Sequence, residues 1–547
     1  MGMEQYDFVI ISQSELVDYN QYSSLPLDRL PLYKKLVFPR MIYYRGAFRS
    51  HLDFINMISF GKCWSEANFE ERRKLFSIWN LASFVGTNLA NYLKKYEINT
   101  FVINNFDAEW DIFCRIYEGC SLKPIVGIST TFHLNYHEIT RLVKCIKSRF
   151  SDALIVLGGA FVNSEVNSGS EQVLTKTMKK YGINFVIHSF NSDIDIRDLL
   201  LARKFGGNYK DINNLIYSLD NKENNEFLFT PKVWNAPVVE DIAVNWSDLD
   251  FPFIGNIVQI RASSGCSFHC AFCSYPELAK GFHAMPVDIV EKQIRSVLQM
   301  KNIKNIVFID DTFNVPVSRF RKLCQMFTKY DFKWFSFLRV QYVDEEIAKL
   351  MKESGCCAVY LGIESADNKV LKNMNKRATR EEFTKGIQCL KKYGITIMAA
   401  FVIGFPGETE DTLKNTVNFI ETMGIDFYTL KEFFYIKNTL VDKQRKVHNL
   451  LGDGANWSHS TMDSLLAYEH KISMFKKIKN SVFVDPDTSL WYLVYLYSQG
   501  YSMSEIAKIQ SDINKAMMIQ IDGDFDCTNL VYRRLAKKLD KSISYGG

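Results

Sequence analysis

The chain has 547 residues, enough for about two to four domains that each bury a core, and its 47% hydrophobic and 23% charged residues exclude a disordered protein. A net charge of +5 gives no reason to expect a nucleic-acid partner. No run of about 18 uncharged apolar residues occurs, which excludes a membrane-spanning helix, and the start MGMEQYDFVI reads as neither a secretory signal nor a myristoylation site at Gly2, so a cytoplasmic protein is expected.

In chain order, DFVIIS at 7–12 reads as a first strand, followed at 13–79 by a long, aromatic-rich and partly helical insertion. Apolar runs FVINNF at 101, PIVGIS at 124, ALIVLGG at 153 and FVIHSF at 185 then alternate with amphipathic stretches such as HEITRLVKCIKSRF. Together they predict an α/β domain over 1–205, an open Rossmann-like parallel sheet wound on both faces. Residues 206–250 read as a hairpin (LIYSL, then EFLFTP) and a linker. A second alternation, IVQIRA, IVFIDD, WFSFLRV, AVYLGIE, TIMAAFVIGF and DFYTLKEFF, fills 251–437. Six βα units suit a partial barrel and are too few for the closed eight-stranded one. Asp344 and Thr379 are expected helix caps, with Glu382 completing a capping box and Gly355 and Gly394 closing the helices. Residues 438–547 lose the strand rhythm and read as mainly helical.

Nine of the 12 cysteines are scattered and read as buried, reduced thiols. The other three form Cys266-Ser-Phe-His-Cys270-Ala-Phe-Cys273, on a loop beyond the C-terminal end of the first barrel strand, where α/β barrels place their chemistry. Three thiolates from so short a stretch can hold three irons of a [4Fe–4S] cluster and leave the fourth open. A zinc site completed by His269 or His283, and an inert thiol group, are the other readings.

C-x3-C-x2-C after a first strand, with Phe272 before the third cysteine, resembles the radical S-adenosylmethionine (SAM) enzymes. Later strand ends agree: Asp310-Asp311-Thr312-Phe313, Arg339, Gly362-Ile363-Glu364-Ser365 and Gly404-Phe405-Pro406-Gly407-Glu408 look like that family's SAM-contacting positions. The resemblance implies cofactor contacts from Phe272, Asp310, Arg339, Glu364, Ser365 and Gly404, with Cys266, Cys270 and Cys273 on the metal. Glu364 can accept from ribose hydroxyls and Arg339 can meet the methionyl carboxylate; alternatively the two pair with each other. It further implies cleavage of SAM to a 5′-deoxyadenosyl radical and an electron donor such as flavodoxin or ferredoxin.

VGIS at 126–129 and IVLGG at 155–159 are similar to the cobalamin-binding domain that precedes many radical SAM domains, with Ser129, Gly158 and Gly159 at the cofactor. The D-x-H-x-x-G loop is absent and HSFNSDID replaces the usual glycine–glutamate stretch, so a vestigial sheet without cofactor is the alternative. The tail, with NWSHSTMD and SVFVDPDTSLWYLVYLYSQGYS, resembles cobalamin-type radical SAM proteins grouped with phosphinate P-methyltransferases. His459 and Asp463, four apart, are expected on one helix face. Cys356 and Cys357 begin the fourth barrel strand, roughly 20 Å below the mouth that Glu364 reaches, which argues for packing over hydrogen-atom donation; Cys63 and Cys527 stay open as donors. The resemblance implies methyl transfer through methylcobalamin to an unactivated carbon or phosphorus of a small-molecule or peptide substrate. Radical epimerisation or crosslinking of a ribosomal peptide, and a non-catalytic zinc adaptor, are the alternatives.

Overall fold

The computed structural model describes residues 4–15, 41–44, 47–133, 135–218, 227–249, 256–300, 302–485 and 489–522. Cys527 and residues 16–40, 45 and 46 of the early insertion lie outside them.

The first sheet starts with β1 (Phe8–Ile11), buried along its whole length. A short antiparallel pair follows, β2 (Met41–Tyr44) and β3 (Ala47–Ser50), and then β4 (Thr100–Ile103), β5 (Ile125–Ser129), β6 (Ile155–Gly158) and β7 (Phe185–Ile187). The order β4-β1-β5-β6-β7 is parallel throughout, each connection passing through helix, as near-continuous apolar strands require when both faces are covered. The expected hairpin is present as β8 (Leu215–Tyr217) and β9 (Leu228–Phe229), and it extends this sheet antiparallel from β7 instead of standing apart as a linker.

The second sheet opens with β10 (Ile257–Ile260), from which the chain leaves through a small ladder of β11 (Ser263–Gly265) with β12 (Phe282–Ala284). It continues through β13 (Asn305–Phe308), β14 (Lys333–Leu338), β15 (Cys356–Glu364), β16 (Thr396–Ile403) and β17 (Phe427–Glu432), the six predicted strands in parallel sequence order. Asp344 caps its helix by accepting from the Ile347 amide, and Thr379 with Glu382 forms the expected capping box.

The described tail is mainly helical, as expected, and carries in addition a few short strands. Residues 451–463 form a three-stranded antiparallel sheet, β18 (Leu451–Asp453), β19 (Asn456–His459) and β20 (Met462–Asp463), and β21 (Val482–Phe483) joins the barrel beside β17 as a seventh strand. Strands of two to four residues are too short to display an alternation. The described part of the early insertion packs with the barrel. Leu52, Phe54, Trp64, Phe76 and Phe84 share one core with β10 and with the helices Ser489–Ser498 and Met503–Asp522. The Phe76 ring packs tilted against Tyr495 at 4.5 Å, so this segment and the last helices cover the side of the barrel between β10 and β21.

Candidate functional site

The cysteine loop is tied down from two sides. The Ala271 amide donates to the Met374 carbonyl (2.8 Å), Asn375 Nδ2 to the His269 carbonyl (2.7 Å), and the Val441 amide to the Ala271 carbonyl (2.9 Å). Burial pushes the Cys273 thiol up to about 12, with Cys270, Asp311 and Cys266 adding to the rise; burial also raises Cys266. The three thiols are therefore electrostatic neighbours. They have not converged: among the described residues no three His, Cys, Asp or Glu side chains stand close enough to hold a metal as arranged, and that holds with His269 and His283 included. Phe272 is half-buried and meets Phe405 edge-on at 6.2 Å.

Arg339 follows β14 and is 4% exposed. Asn314 pins its backbone through both amide and carbonyl, at 3.0 and 2.8 Å. Its guanidinium lies 3.6 Å over the Phe268 ring, Nη2 reaches the Lys376 carbonyl and comes within 3.9 Å of Cys270 Sγ, and Nη1 is buried without a partner. A planar cation with one donor unused, beside the cysteine loop, suits an anionic oxygen. Glu364 ends β15 at a register shift with φ +66°, a conformation rare outside glycine, and its carboxylate meets Lys376 Nζ at 2.9 Å. The expected alternative of an Arg339–Glu364 pair is corrected: Lys376 stands between them, giving its ammonium to one and its carbonyl to the other. No motif announced Lys376.

Three expected cofactor contacts are engaged within the protein. Asp310 is fully buried and accepts from the Ala262 amide (3.0 Å) and the Ser263 hydroxyl, tying β13 to the end of β10. Ser365 turns its hydroxyl to the Asp367 amide (3.2 Å). Gly404 has φ +88°, and a Cβ there would lie 2.5 Å from the Trp457 ring and 2.8 Å from the Ala467 side chain. Its lack of a side chain thus admits Trp457 of the tail sheet and Ala467 of the helix Ser464–Lys477. Glu408 folds back on the Gly404 amide at 2.6 Å, and burial lifts its carboxyl to about 8.

His459 and Asp463 do not share a helix face. They sit on neighbouring antiparallel strands joined by a two-residue turn, a spacing that imitates one helical turn. His459 Nε2 bonds the Gly404 carbonyl at 2.9 Å and its ring stacks on Trp457, while Asp463 caps the helix Ser464–Lys477. Cys356 and Cys357 begin β15, the latter 3.5 Å from the Tyr497 hydroxyl, at the end away from Glu364. Cys63 donates to Asp53 at 3.0 Å, and burial raises its thiol to about 11.

At the C-terminal edge of the first sheet, Thr130 donates to the Gly158 carbonyl through its amide (2.7 Å) and its hydroxyl (2.9 Å), and the Ser129 hydroxyl donates to that of Thr131 at 3.1 Å. A Cβ on Gly158 would meet only the Ile187 carbonyl at 3.9 Å, so the surface beside it is open. Gly159 differs: with φ +114°, a Cβ would press within 2.9 Å of the Thr131 amide. Along the same edge Ser12 Oγ, Gln13 Oε1, Ser14 Oγ, both His133 nitrogens and His188 Nδ1 are buried without partners, and burial lowers both imidazoles to about 4, so they are neutral near pH 7. So many unpaired buried atoms suit a polar ligand better than a finished protein surface, and the HSFNSDID stretch is spent internally, Asp195 accepting from Ser189, Asn214 and Asn235. This edge meets the barrel mouth: Phe190 packs on Tyr275 at 5.8 Å, and Arg261 lies 5.2 Å over Phe84.

A cysteine loop thus stands at the mouth of a parallel half-barrel that follows a parallel nucleotide-type sheet in the same chain. Residues 260–420 match the radical SAM superfamily model. An uncharacterized methyltransferase of Pyrococcus horikoshii is 27% identical over 63% of this chain and 74% of its own length. Among solved structures, the radical SAM methyltransferase TsrM from Kitasatospora setae, with cobalamin and a [4Fe–4S] cluster bound, superposes with a TM-score of 0.60 at 14% identity over 80% of this chain and 96% of its own. The cobalamin-dependent SAM radical enzyme OxsB, with aqua-cobalamin and SAM bound, gives 0.55 at 15% identity over 85% and 81%. At such identities the likeness is one of fold, and it spans both sheets in one chain. No helix among the described residues is long and apolar enough to cross a membrane.

Proposed function

We propose that Cys266, Cys270 and Cys273 hold a [4Fe–4S] cluster whose open iron binds SAM, and that the protein is a cobalamin-dependent methyltransferase. One observation carries this reading: the cysteine loop and the unused Nη1 of the buried Arg339 meet at one barrel mouth. Arg339 receives the methionyl carboxylate, and Glu364, held by Lys376, accepts from the ribose hydroxyls. A cluster held by these thiols would supply the electron for SAM cleavage, while the protein orients the cofactor and keeps water away. The open surface beside Gly158 and the unpaired polar atoms at the end of β1 and the starts of the loops after β5 and β7 would hold cobalamin, which would supply a methyl-carrying metal. The substrate is a small molecule or peptide offering an unactivated carbon or phosphorus. The test is SAM with a trideuterated methyl group, given anaerobically to cobalamin-loaded protein with candidate substrates. Label in the product, with a second SAM consumed as radical source, is expected; turnover to unlabelled product would replace methylation by epimerisation or crosslinking.

A further inference from the structure

Arg261 directly follows β10 and stands where the two sheets meet. Gln259, two residues earlier and so on the same strand face, donates from Nε2 to the Ala82 carbonyl at 3.1 Å. That face is therefore turned toward the chain entering the helix Phe84–Lys94. The Arg261 guanidinium lies 5.2 Å over the Phe84 ring. Two residues on, Gly86 packs against Ser12 too closely to admit a Cβ, and the Ser12 hydroxyl just past β1 is one of the buried atoms without a partner. The barrel mouth lies on the other side. Burial raises the Tyr275 hydroxyl to about 12 and also raises the Asp311 carboxyl, and the Arg261 cation opposes both rises. Tyr275 in turn accepts from the Gly265 amide at 3.1 Å, one residue before Cys266. Despite these neighbours the guanidinium is unspent. Its Nε is buried without a partner, and among the described residues the side chain makes no hydrogen bond or ion pair. The nearby Arg319 is the contrast, held by the Ala262 and Met285 carbonyls at 2.7 and 2.8 Å. A half-buried cation whose donors have no acceptor is an unfinished site, and a planar fork resting on an aromatic face is shaped for an oxyanion.

We propose that Arg261 is a specificity-determining residue of the substrate site, where its guanidinium holds a carboxylate or phosphorus oxyanion, so that the substrate is an organic acid. The inference deepens the methyltransferase reading and rests on it. A substrate that meets cobalamin at the edge of the first sheet and SAM at the cysteine loop lies at the boundary that Arg261 occupies. The Phe84 ring below the guanidinium shields one side of the pair from water, which strengthens it. No bond forms or breaks at Arg261; it binds and orients. The experiment is equilibrium dialysis of full-length protein, loaded with cluster and cobalamin, against radiolabelled phenylacetate, phenylphosphinate and the neutral phenylacetamide. At least one acid is expected to bind about tenfold or more tighter than the amide, as for a charge-assisted pair, and the tighter acid tells carboxylate from phosphorus oxyanion. Arg261→Gln should erase that preference while iron content and the cobalamin spectrum stay unchanged. Arg261→Lys keeps the charge without the planar fork and should fall between, and it serves as the comparison if the Gln variant does not fold. No preference for either acid in the unsubstituted protein, or the same preference in Arg261→Gln, overturns the anion site. Loss of cobalamin from Arg261→Gln also overturns it, by assigning the residue to the corrin. If unsubstituted protein takes up no cobalamin yet prefers an acid through Arg261, the methyltransferase reading fails and the anion site stands.

Discussion

Glu364 is a partly buried and Glu408 a fully buried carboxylate near the barrel mouth, and their partners differ. Glu364 has a cation, Lys376 Nζ, at 2.9 Å. Changing it to Gln is expected to weaken SAM binding by about 1–3 kcal/mol, leaving the cluster's absorbance unaltered; calorimetric titration of SAM checks this, and undiminished affinity assigns the residue to structure alone. Glu408 has only amide partners, and its folded value of about 8 lies above the ordinary 4.5. The folded protein therefore binds the extra proton, so this group's stabilisation is complete below the unfolded value and is lost as pH rises through the folded one. Glu408→Gln should melt with the wild type near pH 5 and above it beyond pH ~8. Parallel melting curves at both pH values contradict the assignment. The sequence motif named both residues, but the cations that distinguish them were invisible: Lys376 lies 12 positions from Glu364 and meets it only through the fold.

At the scale of elements, the strand ends were legible because apolar runs and helix caps recur at regular spacing, and the barrel strands stand in the predicted order. The tail's helices were legible too, but its small sheet was not, since it is made of very short strands fixed by tertiary contacts such as Trp457 against Gly404. A side chain at Gly404 should accordingly harm the protein before any cofactor binds: Gly404→Ala is expected to lose about 1–3 kcal/mol from overpacking, with the left-handed backbone adding to the strain, read by urea denaturation of cofactor-free protein. Adjacent glycines at the end of β6 should part company in the same way. Gly158→Val has room, should fold normally, and should lose retained cobalamin; Gly159→Val meets the Thr131 backbone and should lose stability with or without cobalamin. Normal cobalamin retention by Gly158→Val moves the corrin elsewhere or removes it from the account.

Across the whole molecule, the early insertion is the part that composition described and could not place. Its aromatics cross from the first sheet's chain to the barrel and meet the last helices, joining the two ends of the sequence in one core. Phe76→Ala, though 400 residues from the tail, is expected to destabilise the barrel by about 3–5 kcal/mol. An unchanged barrel transition in denaturant separates the two. The coarse architecture followed from hydrophobic periodicity, and the cluster loop from thiol spacing; the docking of one region on another depended on contacts that no local pattern encodes. The central claim concerns those thiols. Protein reconstituted and kept without air, reduced and given SAM, should contain about four irons and four sulfides per chain and release 5′-deoxyadenosine, and Cys266→Ala, Cys270→Ala, Cys273→Ala combined should abolish both while leaving the fold intact. A colourless, zinc-loaded protein that leaves SAM whole, or a triple variant that keeps its cluster, would contradict it.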